Sequence, residues 1–319
     1  MTTPSVIPLE QIRAAQARIA SAVIRMPLVR LNVDTTPADI YLKLENLQPI
    51  GSFKLRGASN AMLLASREQL AAGVWTASAG NMAQGVAWQA RRMGLPCTIV
   101  VPDHAPEAKL QAIRRLGGDI IKVPFAEWFQ VLSTRRFAGM DGLFVHPVSD
   151  PAVMAGNGTI GLEILEDLPD VDAVLVPFGG GGLSSGIASA LRALKPKARI
   201  YACEAEPSAA LSAALLAGSP KQIDYQASFI DGIGSPSVLA DMWPLVSQLL
   251  DGSLVQTVDE IAAAIKLLAE RNHIIAEGAG AASVAAALAG KVQGKVVCIV
   301  SGGNLDAAKL VKILEGQTP

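Results

Sequence analysis

The chain has 319 residues, of which 50% are hydrophobic and 17% are charged, and its formal net charge is −1. This length predicts about two domains with sizeable apolar cores. The balanced charge and an aromatic content of only 4% exclude the basic or aromatic surfaces that bind nucleic acids, so we expect no nucleic-acid partner.

The sequence also predicts neither a membrane partner nor export. It contains no run of about 18 uncharged apolar residues, and its start, MTTPSVIPLEQI, lacks the pattern of a secretory signal. The three cysteines, Cys97, Cys203 and Cys298, lie far apart in β-rich runs and form no CxxC pair. Buried free thiols of this kind are typical of a reducing compartment, which predicts a cytoplasmic protein.

Short apolar runs rich in β-branched residues alternate with longer amphipathic stretches. The predicted strands are 40–45, 73–78, 97–102, 119–124, 142–147, 172–178, 199–204 and 295–301. The predicted helices include 81–94, 107–117, 182–194 and 260–272. Nearly continuous apolar strands indicate parallel sheets buried on both faces, so the fold class is α/β. We predict a small domain over 71–148, inserted into a larger domain formed by 1–70 and 149–319.

In such sheets, ligands bind at turns that follow the carboxyl ends of strands. The strongest of these turns, FGGGGLSSG, contains Gly179, Gly180, Gly181 and Gly182. The glycines let the backbone curl and direct N–H groups inward, and a helix starting near Leu183 adds its positive end, which together predict a phosphate cradle. The phosphate of a nucleotide remains an alternative ligand, because Glu204 follows about 20 residues later, as a ribose-binding acid would. A plain tight turn is the simplest alternative.

Two further turns carry polar groups at strand ends. Ser78, Gly80 and Asn81 lie in TASAGNMAQG at a predicted helix start, which suits a carboxylate, although an ordinary N-cap explains the same pattern. Ser301, in SGGN after the last strand, can present a neutral hydroxyl to a ligand atom, or simply belong to a turn.

Lys54 lies in GSFKLRG, beside Phe53 and between two glycines. If Ser52 caps a helix, Lys54 lies in its first turn, where the positive helix end and burial lower its pKa. A neutral amine is a nucleophile for a carbonyl. A phosphate cradle together with such a lysine predicts pyridoxal 5′-phosphate as cofactor. The alternative is a partly buried lysine whose amine reaches solvent.

An ordered set of segments spans nearly the whole chain: KLENLQPIGSFKLRGA (43–58), SAGNMAQG (78–85), AGNGTIGLEILEDL (155–168), GGGGL (179–183), EGAGA (277–281) and SGGN (301–304). Together they resemble the threonine/serine dehydratase family of fold-type II pyridoxal-phosphate enzymes. The resemblance implies two open, twisted, mostly parallel sheets flanked by helices. It also implies the catabolic type, without a C-terminal regulatory domain.

The resemblance assigns roles around the cofactor. Lys54 matches the lysine that holds pyridoxal phosphate as a Schiff base, and Phe53 matches the residue that packs on the ring. Asn81 matches the partner of the ring's 3′ oxygen, and Ser301 matches the partner of the pyridine nitrogen. Glu277 lies near the cofactor's nitrogen edge in relatives. The phosphate loop corresponds to Gly179, Gly180, Gly181, Gly182 and Leu183.

The implied reaction is a β-elimination on a small-molecule amino acid, L-threonine or L-serine. The freed Lys54 takes the Cα proton, the β-hydroxyl leaves, and the product hydrolyses to a 2-oxo acid and ammonia. Ser301 favours elimination, because a hydroxyl does not enforce a protonated pyridine as a carboxylate would. The loop that binds the substrate carboxylate corresponds to Ser78, Ala79, Gly80, Asn81 and Met82.

Several residues depart from the family pattern. Ala79 stands where serine racemases of the family carry a second serine, which disfavours racemisation. Met82 replaces the usual histidine, Val148 and Ser149 stand where relatives often have polar, aromatic or acidic residues, and FAEWF (125–129) is unusually aromatic. We hypothesise an apolar pocket that accepts a bulkier β-hydroxy amino acid such as phenylserine. Core packing is the alternative for Met82 and FAEWF.

The remaining expectations concern metal, histidine and assembly. Glu204 matches one acid of a divalent-cation site in some relatives, but Ala210 stands at the other acid, and Mg²⁺ or Ca²⁺ would need further oxygen ligands. His146 borders the predicted crevice and is a further candidate substrate ligand. Relatives predict a homo-oligomer, a dimer or tetramer. The alternative functions are another fold-type II reaction (racemisation or β-replacement) and a non-catalytic nucleotide-binding α/β protein.

Overall fold

The computed structural model describes residues 5–319. Its strands are β1 (Leu28–Arg30), β2 (Ala38–Lys43), β3 (Val74–Ala77), β4 (Cys97–Pro102), β5 (Asp119–Val123), β6 (Leu143–Phe144), β7 (Ala173–Pro177), β8 (Arg199–Ala205), β9 (Gly252–Gln256) and β10 (Gly294–Ile299). Its helices are α1 (Leu9–Ile19), α2 (Lys54–Leu64), α3 (Arg67–Leu70), α4 (Asn81–Met93), α5 (Glu107–Arg115), α6 (Phe125–Thr134), α7 (Pro151–Asp167), α8 (Gly182–Leu194), α9 (Ala210–Ala217), α10 (Trp243–Leu249), α11 (Val258–Leu267), α12 (Gly278–Leu288) and α13 (Ala307–Leu314).

The strands form two sheets. The larger has six strands in the order β1-β2-β10-β7-β8-β9, and the smaller has four in the order β5-β4-β3-β6. Every pairing is parallel except that of β1 with β2. The predicted α/β class with mostly parallel sheets is therefore confirmed. Among the described residues, no helix is both long and apolar enough to cross a membrane.

Both sheets are covered by apolar side chains on both faces. In β7, Val174 and Val176 pack into one core cluster, whereas Ala173 and Leu175 pack into the cluster on the opposite face. Alternate residues of a strand point to opposite faces, so a strand buried on both must be apolar throughout. This requirement explains why AVLVP read as a continuous apolar run.

Three helices are brought unusually close by glycines, and this contact positions the candidate site. A Cβ added to Gly156 of α7 would lie 2.4 Å from the Arg56 carbonyl oxygen of α2. A Cβ added to Gly186 of α8 would lie 2.3 Å from the Met154 carbonyl oxygen of α7. Helix α7 therefore packs directly between α2, which begins at Lys54, and α8, which follows the glycine loop.

A buried ion network lies behind the same helix. Arg56 of α2 donates to Glu45 at 2.8 Å and to Glu163 of α7 at 2.7 Å, and Lys43 donates to Glu163 at 2.6 Å. All four side chains are buried. Such a network fixes α2 against α7 by directed bonds that apolar packing alone does not provide.

Predicted and observed elements agree most closely where strands are long and fully buried. The bounds of β4 and α8 are as predicted, whereas β6 keeps only two residues of the predicted 142–147. The edge strands β1 and β9 were not predicted. The four-stranded sheet draws its strands from within 71–148, but the domain boundary stays a prediction, and residues 1–4 of the predicted larger domain lie outside the described chain.

Candidate active site

A cavity of about 360 Å³ opens where the two sheets meet. The carboxyl ends of β3, β7 and β10 lead into the turns that form its walls, as expected for parallel sheets. The predicted residues that line this cavity are Phe53, Lys54, Ser78, Ala79, Gly80, Asn81, Met82, Gly179, Gly180, Gly181, Gly182, Leu183, Glu277 and Ser301. The structure thus brings together residues that are far apart in the sequence.

Lys54 is the first residue of α2, and its backbone N–H donates to the Ser52 hydroxyl at 3.4 Å. Its Nζ donates to the Pro147 carbonyl oxygen at 2.8 Å and lies 5.2 Å from the centre of the Phe53 ring. Burial lowers the pKa of Lys54 to about 8, although the Glu277 carboxylate partly opposes the shift. The lysine therefore has more neutral amine near neutral pH than an exposed lysine has.

The glycine loop forms an open set of backbone donors. Gly181 has a φ of +91°, and α8 begins at Gly182 with no side-chain cap. Within residues 5–319, the N–H groups of Gly180, Gly181 and Gly182 have no hydrogen-bond acceptor. A Cβ on Gly182 would lie 2.6 Å from the Val148 carbonyl oxygen, so the loop packs too tightly for a side chain. Free amides at a helix start bind anions such as phosphate.

A hydrogen-bonded set of three side chains also lines the cavity. Asn81, at the start of α4, donates through Nδ2 to Oε1 of Glu277 at 2.8 Å. Asn304 donates through Nδ2 to Oδ1 of Asn81 at 2.8 Å and to the Ile50 carbonyl oxygen at 2.9 Å. Burial raises the pKa of Glu277 to about 7, and Asp231 adds to the shift.

Asn304 is the residue of this set that sequence reasoning missed. It is the last letter of SGGN, which drew attention through Ser301 alone. Ser301 itself is buried, and its carbonyl oxygen accepts the Phe53 N–H at 3.0 Å, which ties the start of α2 to the end of β10.

His146, which the sequence predicted as a further substrate ligand, is not among the residues that line the cavity. It is buried, and its Nδ1 accepts the N–H groups of Val148 at 3.1 Å and Ser149 at 2.9 Å, while Nε2 faces the Leu132 carbonyl oxygen at 3.2 Å. These partners assign the proton to Nε2. Burial, together with the charge of Arg135, lowers the pKa of His146 to about 4. His146 therefore stays neutral and holds the turn that carries Pro147 and Val148.

Glu204 also has a structural role in place of the expected cation or ribose contact. Its carboxylate accepts the N–H groups of Leu211 at 2.7 Å and Ser212 at 2.8 Å, and the Ser253 hydroxyl at 2.6 Å. It therefore caps α9. Within residues 5–319, no group of three or more His, Cys, Asp or Glu side chains is placed to hold a metal ion.

The outer wall of the cavity is aromatic and apolar. Phe125 and Trp128 of α6 line it together with His104, with ring centres 5.6 Å apart for Phe125–Trp128 and 5.7 Å apart for His104–Phe125. Phe125 is 52% exposed. Met82 also lines the cavity, but it is almost fully buried in the core of the four-stranded sheet, so core packing accounts for most of this side chain.

The residues present fit pyridoxal 5′-phosphate. The unpartnered amides of the glycine loop can hold the phosphate, and an amine of lowered pKa is present in the same cavity to bind the aldehyde. The glycine positions leave room that a side chain would fill. A nucleotide fits less well, because Glu204, the residue expected to bind its ribose, accepts the N–H of Leu211 in α9 and does not line the cavity.

Comparisons with known proteins agree with this geometry. Residues 19–302 match the family described as pyridoxal-phosphate dependent enzyme. The chain is 42% identical over 314 residues to an L-threonine ammonia-lyase of Thermotoga maritima, covering 97% of this chain and 78% of that protein. It is 38% identical over 325 residues to a catabolic L-threonine dehydratase of Staphylococcus aureus, covering 99% and 94% of the two chains. The structure of maize serine racemase superimposes with a TM-score of 0.90 at 34% identity, covering 98% of each chain. The chain therefore belongs to the pyridoxal-phosphate dependent enzyme family.

Proposed function

We propose that the protein is a pyridoxal-phosphate-dependent ammonia-lyase that removes the β-hydroxyl of a hydroxy amino acid and releases a 2-oxo acid and ammonia. The observation that carries this proposal is the shared cavity, in which the Lys54 amine of lowered pKa lies with the free amides of the glycine loop. The identity to an L-threonine ammonia-lyase and a catabolic L-threonine dehydratase supports the same reaction class.

Different residues of the cavity have different roles in the proposed reaction. The start of α4 has no side-chain cap, so its N–H groups are free to bind the substrate carboxylate beside Ser78. Lys54 acts as the base for the Cα proton, since burial has lowered its pKa towards neutrality. Bound pyridoxal phosphate supplies the electron sink for the charge left at Cα. The glycine loop would hold the phosphate, and Ser301 would offer a neutral hydroxyl to the ring nitrogen.

Elimination is favoured over racemisation by the side chain at position 79. Racemisation needs a second acid or base that delivers a proton to the opposite face of Cα. Ala79 lines the cavity and has no hydroxyl to serve that purpose. The likeness to maize serine racemase makes racemisation the second candidate, and the test must include it.

The central experiment measures the products formed by purified holoenzyme from β-hydroxy amino acids. We expect 2-oxo acid and ammonia in equal amounts, and loss of both in Lys54→Ala. Chiral chromatography of the remaining substrate measures racemisation in the same reactions. Inversion without 2-oxo acid would replace this proposal with racemisation. A protein that stays colourless with pyridoxal phosphate, or a Lys54→Ala variant with full turnover, would refute both.

We further propose that the substrate carries a bulky aromatic β-substituent, as in L-threo-phenylserine. Phe125, Trp128 and Val148 give the cavity an apolar wall, and Lys109 on that wall is already paired with Asp231. An aromatic substituent gains from burial and from edge or offset contacts with these rings, whereas a second carboxylate would find no free partner at Lys109.

Phe125 and Phe129 provide a matched pair of variants for this point. Both lie on α6 and both are half exposed, at 52% and 45%, but only Phe125 lines the cavity. We expect Phe125→Ala to lower kcat/KM for phenylserine about tenfold relative to threonine, the loss expected from one aromatic contact of about 1 kcal/mol or more. Phe129→Ala should change neither value. A wild-type preference for serine over phenylserine would refute the aromatic assignment and leave the lyase proposal intact.

We also propose a cytoplasmic location and a homo-oligomer, a dimer or tetramer. The three free cysteines are all buried, which suits a reducing compartment. Light scattering of the purified holoenzyme measures its assembly directly, and a monomer would refute that expectation.

A further inference from the structure

Asn304, Asn81 and Glu277 form a continuous hydrogen-bonded chain, which we call the carboxamide chain. It begins at the Ile50 carbonyl oxygen, 2.9 Å from Nδ2 of Asn304, and continues from the same Nδ2 to Oδ1 of Asn81 at 2.8 Å. It ends where Nδ2 of Asn81 donates to Oε1 of Glu277 at 2.8 Å. All three side chains line the cavity that contains Lys54.

The donors and acceptors of the carboxamide chain have only one consistent arrangement. A carbonyl oxygen can accept but not donate, so the Ile50 carbonyl requires the amide nitrogen of Asn304 to face it. That nitrogen also donates to Asn81, which therefore turns its oxygen towards Asn304 and its nitrogen towards Glu277. An ionised Glu277 accepts only, and it favours the same arrangement. The second hydrogen of the Asn81 nitrogen is left without a protein acceptor among the described hydrogen bonds.

Two glycines pack closely against the carboxamide chain, one at each end. Gly51 has a φ of +70°, and a Cβ there would lie 2.8 Å from Oδ1 of Asn304. A Cβ on Gly302 would lie 2.4 Å from Oε1 of Glu277. Either side chain would have to displace a member of the carboxamide chain. This explains, in terms of space, why glycines stand at positions 51 and 302.

The carboxamide chain also joins the two sheets. Asn81 begins α4, which packs on the four-stranded sheet, whereas Glu277 directly precedes α12 and Asn304 follows β10 of the six-stranded sheet. We propose that Asn304 is a positioning residue that turns the amide nitrogen of Asn81 towards the cofactor's ring oxygen. This inference rests on the proposed function, because it takes Asn81 to be the residue that contacts that oxygen.

The consequence is measurable in the spectrum of the bound cofactor. A donor that faces an ionised oxygen stabilises the ionised form and lowers the pKa of the group. Without Asn304 only Glu277 still orients the Asn81 amide, so its oxygen replaces its nitrogen at the ring more often. The spectral transition of the bound cofactor with pH should then move upward.

The test compares pH titrations of the absorbance of bound cofactor in three variants. We expect Asn304→Ala to raise the midpoint by about one pH unit, a tenfold change in proton affinity. Asn304→Asp keeps the side-chain volume but offers an acceptor to Asn81, which turns the amide nitrogen away from the ring, so its shift should be larger. Asn81→Ala, which removes the donor itself, sets the direction of the shift. Asn272→Ala is the matched control, because Asn272 also bonds a backbone carbonyl but lies outside the cavity.

A second readout needs no cofactor. Loss of the ordered Asn81 donor raises the pKa of Glu277 further, so the loss of stability that accompanies its ionisation should begin at the same pH as in the wild type but continue to higher pH in Asn304→Ala. The other charged groups that act on Glu277 are Asp231, Lys109 and Lys54, and they are unchanged in this variant. Melting temperatures of cofactor-free protein between pH 4 and pH 9 measure this effect and also show whether the variant folds.

The outcomes separate this inference from the proposed function. Shifts in Asn81→Ala and in both Asn304 variants, with none in Asn272→Ala, support it. A shift in Asn81→Ala with none in either Asn304 variant overturns the role of Asn304 and leaves the lyase proposal standing. No shift in any variant overturns the ring contact of Asn81 and the inference with it, and product formation then decides the lyase proposal separately.

Discussion

The lowered pKa of Lys54 can be measured directly by the rate at which its amine reacts. Only the neutral amine attacks an acylating reagent, so the reactivity of each lysine follows its neutral fraction. At pH 7, a pKa of about 8 leaves about 9% of Lys54 neutral, against about 0.04% for an ordinary lysine. The structure therefore predicts that the neutral fraction of Lys54 at pH 7 exceeds that of an ordinary lysine roughly 200-fold.

The assay is brief acetylation of cofactor-free protein at a series of pH values, with the modified peptides quantified by mass spectrometry. Burial slows the access of reagent to Lys54 by a factor that does not depend on pH, so the midpoint of the curve, rather than the absolute rate, is compared. The exposed Lys312 serves as the reference in the same sample. We expect a midpoint near pH 8 for Lys54.

The Glu277 carboxylate provides an internal check on the cause of the shift. It raises the pKa of Lys54 against the effect of burial, so Glu277→Gln should move the Lys54 midpoint to lower pH. A Lys54 midpoint near the ordinary value of about 10.4 in the wild type would refute the reasoning from burial. A midpoint that rises in Glu277→Gln would refute the sign of the electrostatic contribution.

Three further predictions follow from the geometry. Because the pKa of Glu277 is raised to about 7, its contribution to stability is fully present below pH 4.5 and is lost as the pH rises through 7. Glu277→Gln should therefore make cofactor-free protein about 1–3 kcal/mol more stable than the wild type at pH 8, as measured by urea titration. Arg56→Met leaves two buried carboxylates without their partner, and we expect a loss of about 3–5 kcal/mol in the free energy of unfolding, whereas a loss under 1 kcal/mol would contradict the ion network. Gly80→Asp meets no atom within 4 Å of its Cβ, and it should cap α4 and raise stability by about 0.3 kcal/mol. It should also raise KM for the amino acid at least tenfold, and an unchanged KM would rule out carboxylate binding at this helix start.

Fully buried strands and glycine-rich turns could be predicted from the sequence. A strand such as β4 is buried on both faces, which forces a continuous apolar run, and four successive glycines are hard to explain by anything except a backbone that must bind or bend. Strands β1 and β9 lie at the edges of the larger sheet, where one side of the strand is unpaired and polar residues are tolerated. Their sequences therefore carried no strong pattern.

The roles of His146, Glu204 and Asn304 could not be predicted, because they depend on which partners the fold brings near. The polar atoms of His146 and Glu204 accept hydrogen bonds from neighbouring backbone N–H groups. Local sequence does not show whether a side chain will bond to such groups or contact a ligand. Asn304 binds partners more than 200 residues away, Asn81 and the Ile50 carbonyl, so its function exists only once β10 lies beside β2.

The placement of helix starts gives the cavity its electrostatic character. Two helices whose first residues line the cavity, α4 at Asn81 and α8 at Gly182, have no side-chain cap, whereas the Lys54 N–H at the start of α2 donates to the Ser52 hydroxyl. Away from the cavity, side chains cap α3, α7, α11 and α13, while α1 and α10 also start without a side-chain cap. Uncapped starts cost stability, because their N–H groups lack partners until an anion arrives. Their positive ends attract a phosphate and a carboxylate and at the same time oppose the charge on Lys54. In the proposed function, one arrangement of backbone thus serves both anions and opposes the charge on the amine, and we infer that the starts of α4 and α8 are open for this reason.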